Sequence, residues 1–274
     1  MNARIDLDTY FARIGYQGAR TPTLDTLQQI LQQHTHSIAF ENLSSFAGET
    51  VPLDLPSLQT KLLQQGRGGY CFEHNTLLWN VLQQLGFSVS GLAARVRWNV
   101  PEGFVPPIGH MLMKIVIDDH PYVIDAGFGR LTQTTPLRLD VDTPQATKHE
   151  DFRIIYEGPE YMLSADVEGA FRVLYSFSPQ EFHASDYEVW NWFTCTAPAS
   201  PFTHMLMAAR PVKDGRHALM NNRYTWRSTT GEVDTRLLTS AADIRAVLSD
   251  AFNIRLPESA ALNAKLEQLA ASIS

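Results

Sequence analysis

Two cysteines, 124 positions apart in 274 residues, are too few for a disulfide framework and suit a reducing compartment. No stretch approaches the ~18 consecutive apolar residues that a membrane span requires. Met1–Asp6 lacks the apolar core of a secretory leader, so the expected location is the cytoplasm. Basic residues are in the minority, 22 against 29 acidic for a net charge of −7, which argues against a protein that neutralises nucleic-acid phosphates. Nine histidines are scattered without the short ligand spacing of a zinc site; only His34 and His36 stand close together, and no metal is expected. Internal repeats, low-complexity tracts and long flexible linkers are also missing, so the parts of the chain should pack as one body. What is present, 44% hydrophobic and 19% charged residues, suits an ordinary soluble enzyme with one large or two to three small cores.

Three compositional stretches follow one another. From Leu7 to about Gly86 the periodicity is helical: Tyr10, Phe11 and Ile14 form one stripe, Leu24, Leu27, Ile30 and Leu31 a second behind Thr21-Pro22, and Leu58, Leu62 and Leu63 a third after Pro56. From Phe87 to about Phe182 the signals are of strands, at Phe87–Ser90, Ala94–Trp98, Phe152–Tyr156 and Phe171–Tyr175, which together predict an antiparallel barrel or sheet. Beyond Asp186 the pattern is mixed, with a loop at Pro198 and Pro201, a strand-like Tyr224–Trp226 and two closing helices near Ala241–Leu248 and Ser259–Leu269. Pro101–Pro107 is a proline-rich connector that could also shape a cleft.

An isolated cysteine is more often a small buried hydrophobe than a nucleophile. The context of Cys71 changes that. It lies in Arg67-Gly68-Gly69-Tyr70-Cys71-Phe72-Glu73-His74-Asn75, and after it Leu77, Leu78, Val81, Leu82 and Leu85 recur at helical spacing up to Gly86. A helix of about four turns therefore begins near Cys71. The two preceding glycines permit a sharp turn, and the free amides of the first helical turn favour an anion. A thiol placed there is biased toward the thiolate that attacks carbonyl carbon. Cys195 has no such context and reads as structural.

A second segment, Gly109–Gly129, contains two β-rich runs around Asp118-Asp119 and predicts a hairpin. With those two residues as the loop, Ile117 faces His120 and Asp125 stands opposite Leu112. His110 is then a diagonal neighbour of Asp125 on the same face, within reach of its side chain. A slip of one residue would separate them onto opposite faces. The pair has the form of an imidazole base oriented by a carboxylate. His74, three residues beyond Cys71, is a competing base, and the carboxylate favours His110.

The RGGYCFEHN run, the histidine 39 residues on and the VIDAGFG run containing Asp125 resemble the arylamine N-acetyltransferases, cysteine acyltransferases that use acetyl-coenzyme A. Ile38–Leu43 (IAFENL) resembles that family's IPFENL signature with alanine for proline. Asn191–Thr196 resembles its NWxxST run with Cys195 in the serine place, and Gly109 replaces the threonine usual before the histidine. The landmarks keep order and spacing from about Tyr10 to Phe202, and the long interdomain insertion associated with vertebrate members is missing, which makes the resemblance one to the bacterial type.

The resemblance implies an α+β fold: an N-terminal helical bundle over 1–86 carrying Cys71, a central antiparallel β-barrel over 87–185 carrying His110 and Asp125, and a C-terminal α/β lid over 186–274, around a cysteine-protease-like catalytic core. It implies ping-pong acetyl transfer through a Cys71 thioester to an arylamine, arylhydrazine or N-arylhydroxylamine, with acetyl-coenzyme A as substrate and no tightly bound cofactor. Phe40, Phe128 and Phe202 are implied as walls for the aryl group, and Val96 with the Gly127–Gly129 backbone as neighbours of the acyl group or pantetheine arm. Glu41 and Arg67 are candidates for a buried ion pair stiffening the catalytic loop. The same three reacting residues would equally serve a cysteine hydrolase, a transglutaminase-like enzyme or an amide synthase, and a non-catalytic binding protein of the same fold stays open.

Overall fold

The computed structural model describes residues 4–101 and 103–271. Met1–Ala3, read above for a leader, Glu102 of the proline-rich connector, and residues 272–274 lie outside them. In chain order the elements are α1 (Leu7–Ile14), α2 (Leu24–Ser37), β1 (Phe40–Glu41), α3 (Leu43–Phe46), α4 (Leu55–Leu58), which runs into a π-turn at Gln59–Gln64, and α5 (Cys71–Gln84). Then come β2 (Val89–Val96), β3 (His110–Ile117), β4 (His120–Ile124), β5 (Leu137–Arg138), β6 (Phe152–Glu157), β7 (Glu160–Val167) and β8 (Ala170–Phe177). The chain continues with α6 (Ala184–Thr196), β9 (Met207–Val212), β10 (Gly215–Met220), β11 (Arg223–Ser228), β12 (Val233–Leu237), α7 (Ala241–Asp250) and α8 (Ala260–Ala271).

Seven strands in the order β5-β4-β3-β2-β8-β7-β6 form an antiparallel sheet that curls nearly closed. The two edges approach through Gln145, whose backbone bridges Phe152 while its side chain exchanges hydrogen bonds with the Arg138 backbone at 2.7 and 2.9 Å. Alternation along β3 sorts its side chains. Met113, Ile115 and Ile117 pack with the helical layer of α1, α2 and α5, whereas Leu112 joins Val123, Phe152, Leu163 and Tyr175 on the other face. His110 shares the parity of Leu112, and Asp125 that of Val123.

The hairpin has the predicted register, Ile117 opposite His120 and Met113 opposite Ile124. Asp118 and Asp119 take φ of 50° and 62°, the left-handed pair of a type I′ turn whose twist matches the strands. The strand reading is corrected in two places. Phe87–Ser90 and Ala94–Trp98 are not separate strands: Val89–Ser90 and Ala94–Val96 belong to one strand, β2, with Phe87, Ser88, Arg97 and Trp98 outside it, and β7 is a strand that the sequence reading lacks. The second sheet, β1-β9-β10-β11-β12, is covered by α7 and α8 through Ile244, Leu248 and Leu266, with Phe252 from the turn after α7. Its edge strand β1 comes from the stretch read as wholly helical, with Phe40 opposite Ala209.

Candidate active site

Helix α5 starts at Cys71 because its first turn is closed by its own residues. The Glu73 carboxylate reaches back to accept the Tyr70 N–H at 3.1 Å and is neutralised by Lys61 at 2.6 Å. The glycines ahead of it serve close approach rather than a left-handed turn. Neither Gly68 nor Gly69 has a positive φ, but a Cβ on Gly68 would run into the Ala39 carbonyl, and one on Gly69 would sit 2.7 Å from Glu73 Oε2. This close packing lays Gly69 beside Phe40 in a parallel bridge.

Cys71, His110 and Asp125 meet where α5 crosses the end of the hairpin, with exposures of 4%, 3% and 1%. His110 Nε2 donates to Asp125 Oδ2 at 2.6 Å. Since a carboxylate only accepts, Nε2 carries the proton and Nδ1 is the ring nitrogen left for a second partner, with Cys71 close enough to bear on the imidazole. Burial disfavours the imidazolium, yet the Asp125 charge and hydrogen bond, with Cys71 adding to them, outweigh burial and raise the His110 pKa. In Asp125 burial opposes ionisation and is outweighed by His110, Asn75 and the Gly127 N–H, so its pKa is lowered.

The other residues singled out from sequence surround this set. The Phe128 ring lies edge-on to His110, centroids 5.3 Å apart, and Tyr175 lies 5.0 Å from His110 on the same side. Phe40 and Phe202 pack edge to face at 6.3 Å, and Phe202 contacts Tyr70 at 5.2 Å, beside Cys71. Val96 pairs with Tyr175 at the end of β2. Gly129, at φ 92°, would bring a Cβ 3.4 Å from the Phe40 ring. Glu41 and Arg67 form a buried salt bridge at 2.8 Å, and Glu41 Oε2 also accepts the Leu43 N–H at 2.6 Å. Removing one partner alone would strand a buried charge, at a typical cost of about 3–5 kcal/mol.

His74 points away from this chemistry. Its Nε2 donates to the Ala39 carbonyl at 3.1 Å, so its Nδ1 must accept from His34 Nε2 at 2.8 Å, and His34 Nδ1 in turn accepts from Tyr10 O–H at 2.9 Å. Each partner fixes the next tautomer, and both rings are neutral: burial pushes His74 down to about 4 and lowers His34 as well. Cys195 is buried on α6, its thiol directed at the Trp192 carbonyl at 3.7 Å.

A family model described as N-acetyltransferase matches residues 23–261. The arylamine N-acetyltransferase of Mycobacterium tuberculosis is 38% identical over 274 aligned positions, covering 97% of this chain and 96% of that protein. The chain belongs to the arylamine N-acetyltransferase family. The solved structure of the Mycobacterium marinum arylamine N-acetyltransferase superposes with a TM-score of 0.93 at 38% identity, covering 97% of this chain and all of that one. A structure of the Mycobacterium marinum enzyme in complex with CoA gives 0.92 at 37% identity, covering 96% and 99%. The expected α+β fold with its cysteine-protease-like core is therefore the fold of this arylamine N-acetyltransferase family member.

Asparagines carry much of the architecture around the site, and their roles were not legible from the sequence. Asn42 donates to the carbonyls of Phe202 and Met205 at 2.9 and 2.7 Å and accepts the Met207 N–H at 2.8 Å. Asn191 accepts from Tyr70 O–H at 2.5 Å and donates to the Val51 carbonyl at 2.7 Å. Asn75 contacts Asp125 directly. All three lie in the motif runs noted above, but only their spatial partners distinguish them from surface amides.

Gly127 is the tightest constraint on the cysteine. A Cβ there would lie 2.5 Å from Cys71 Cα and 3.1 Å from its nitrogen, backbone atoms that cannot swing aside. Gly127→Ala should therefore displace the thiol and lower kcat/KM for acetyl transfer by about 10²-fold, with the circular dichroism spectrum retained. Wild-type turnover in that variant would refute the close approach.

Proposed function

We propose that this chain catalyses acetyl-coenzyme A-dependent transfer of an acetyl group to arylamines, arylhydrazines or N-arylhydroxylamines, with Cys71 as nucleophile, His110 as general base and acid, and Asp125 as orienting carboxylate. The observation that carries this reading is the buried Asp125–His110 pair, with the proton on Nε2 and Cys71 close enough to bear on the imidazole. His110 takes the thiol proton and the resulting thiolate attacks the acetyl carbonyl carbon. The tetrahedral intermediate collapses with cleavage of the bond to the coenzyme A sulfur, which leaves as a thiol carrying the imidazolium proton. An amine then attacks the Cys71 thioester, His110 accepts the amine proton, and the amide departs as the thiolate is regenerated. The Phe72 amide at the helix head is a candidate donor to the oxyanion.

Phe40 and Phe202 beside Tyr70, and Phe128 beside His110, are the aromatic walls for the acceptor in this reading. Val96 and the Gly127–Gly129 backbone line the path of the acyl group. Glu41 and Arg67 brace the loop. The chain divides functionally at about residues 86 and 185, into a bundle that presents the thiol, a barrel that presents the base and carboxylate, and a lid that supplies Phe202. Its setting in this proposal is the cytoplasm, in keeping with the lack of any helix among the described residues long and apolar enough to cross a membrane. Neither nucleic acid nor membrane is a partner in the reaction.

Incubation with acetyl-coenzyme A, with and without an aromatic amine, tests the proposal. Catalytic coenzyme A release should require the amine and follow ping-pong kinetics. Equal release without amine would indicate a thioester hydrolase instead.

A further inference from the structure

The side chain of Asn75 uses every polar hydrogen and its oxygen in the join between α5 and the hairpin. Its Nδ2 donates to Asp125 Oδ1 at 3.0 Å and to the Met111 carbonyl on β3 at 2.7 Å, and its Oδ1 accepts the Ala126 N–H at 2.9 Å. A flipped amide would oppose two acceptors with its oxygen and an N–H with its NH₂, so the orientation is determined. Asn75 lies four residues after Cys71, one helical turn, on the face of α5 that meets β3. The helix that carries the nucleophile thus also grips the carboxylate, and through it the imidazole.

We propose that Asn75 is a positioning residue for the reaction, clamping Asp125 and β3 to the Cys71 helix and so setting the distance and angle between His110 and the thiol. This rests on the reading of Cys71, His110 and Asp125 as the reacting set. Without the clamp, the hydrogen bond between the α5 and β3 side chains is the long one from Thr76 Oγ1 to the Met111 sulfur at 3.6 Å, and the apolar packing around it does not fix a hydrogen-bond angle. The Asn75 hydrogen bond also favours the ionised form of Asp125. The other titratable groups bearing on Asp125 are His110 on β3, Tyr175 on β8 and, at longer range, His74 on α5. Loss of the amide donor makes the carboxylate easier to protonate, so activity should fail at a higher pH on acidification. A second carboxylate in its place should enlarge that effect by like-charge repulsion.

The test compares wild type, Asn75→Ala and Asn75→Asp in acetyl transfer from acetyl-coenzyme A to an aromatic amine across the acid limb of the pH profile. Both variants should lose kcat by about tenfold to a hundredfold, with the KM for acetyl-coenzyme A nearly unchanged. The acid limb should move toward neutral pH, further for Asp than for Ala. A purely structural role would lower the melting temperature and scale activity with the folded fraction at every pH, leaving the limb in place, and that result overturns the inference. Should Asn75→Ala fail to fold, the isosteric Asn75→Asp decides alone. A wild type that transfers no acetyl group overturns the functional reading itself, whereas an active wild type with unshifted variants overturns only the role of Asn75.

Discussion

Replacing Cys71 by serine or alanine should abolish acetyl transfer and acyl-enzyme formation together, while Cys195→Ser leaves turnover largely intact. The two thiols are equally buried, so exposure does not distinguish them; their partners do. Cys71 stands at the head of a helix against an imidazole whose other nitrogen is held by a carboxylate. The Cys195 thiol donates to a carbonyl of its own helix. A serine hydroxyl at position 71 is a far weaker acid than a thiol, so His110 would leave it mostly protonated. Mass spectrometry after addition of acetyl-coenzyme A should find one acetyl group, on the peptide containing Cys71. An acetyl group on Cys195, or undiminished turnover in Cys71→Ser, would overturn the assignment.

Asp125→Asn should fold and yet lose about 10³ to 10⁴-fold in transfer rate. The position of Oδ1 receives two donors, Asn75 Nδ2 and the Gly127 N–H, so the substituted amide must place its oxygen there and its NH₂ toward His110. Nε2 would then have to accept a hydrogen bond, its proton would move to Nδ1, and the nitrogen facing Cys71 would become a donor unable to take the thiol proton. The charge that holds the imidazolium would also be gone. Asp125→Glu keeps the charge on a longer arm and should retain more activity than the asparagine variant. Near wild-type transfer by Asp125→Asn, with normal circular dichroism and melting, would show that Asp125 does not orient the base.

The parts of this geometry that could be read from the sequence are those set by local chemistry. A cysteine followed by helical periodicity and closed by Gly86 marks the start of α5, and two short polar residues between β-rich runs mark a hairpin whose parity puts His110 and Asp125 on one face. Long-range packing hid the rest. Gly91 made β2 look like two strands, but it is needed because a Cβ would collide with the Trp79 ring and Tyr187 O–H. In β7 the alternation is intact, with Tyr161, Leu163, Ala165 and Val167 all on the barrel interior, but Glu160, Ser164, Ala165 and Asp166 dilute the β-branched and aromatic content that marks a strand. Helix α6 inverts the usual pattern, exposing Val189, Trp192 and Phe193 while burying Asn191 and Thr194. Periodicity read from hydrophobicity therefore fails there.

The small edge strand β1 has a consequence for how the protein is made. Phe40 pairs with Ala209, Asn42 is bound to Phe202, Met205 and Met207, and Tyr70 to Asn191. These ties hold the segment just before the nucleophile, and each reaches across more than a hundred residues. During synthesis the cysteine emerges long before the chain that sets its surroundings. Until Met207 has left the ribosome the thiol has its helix and, once the hairpin is made, His110, but not Phe202, Asn191 and the other contacts contributed from downstream. Non-local closures of this kind are slow steps in folding, so the surroundings of Cys71 depend on contacts that form only once the downstream strands are available.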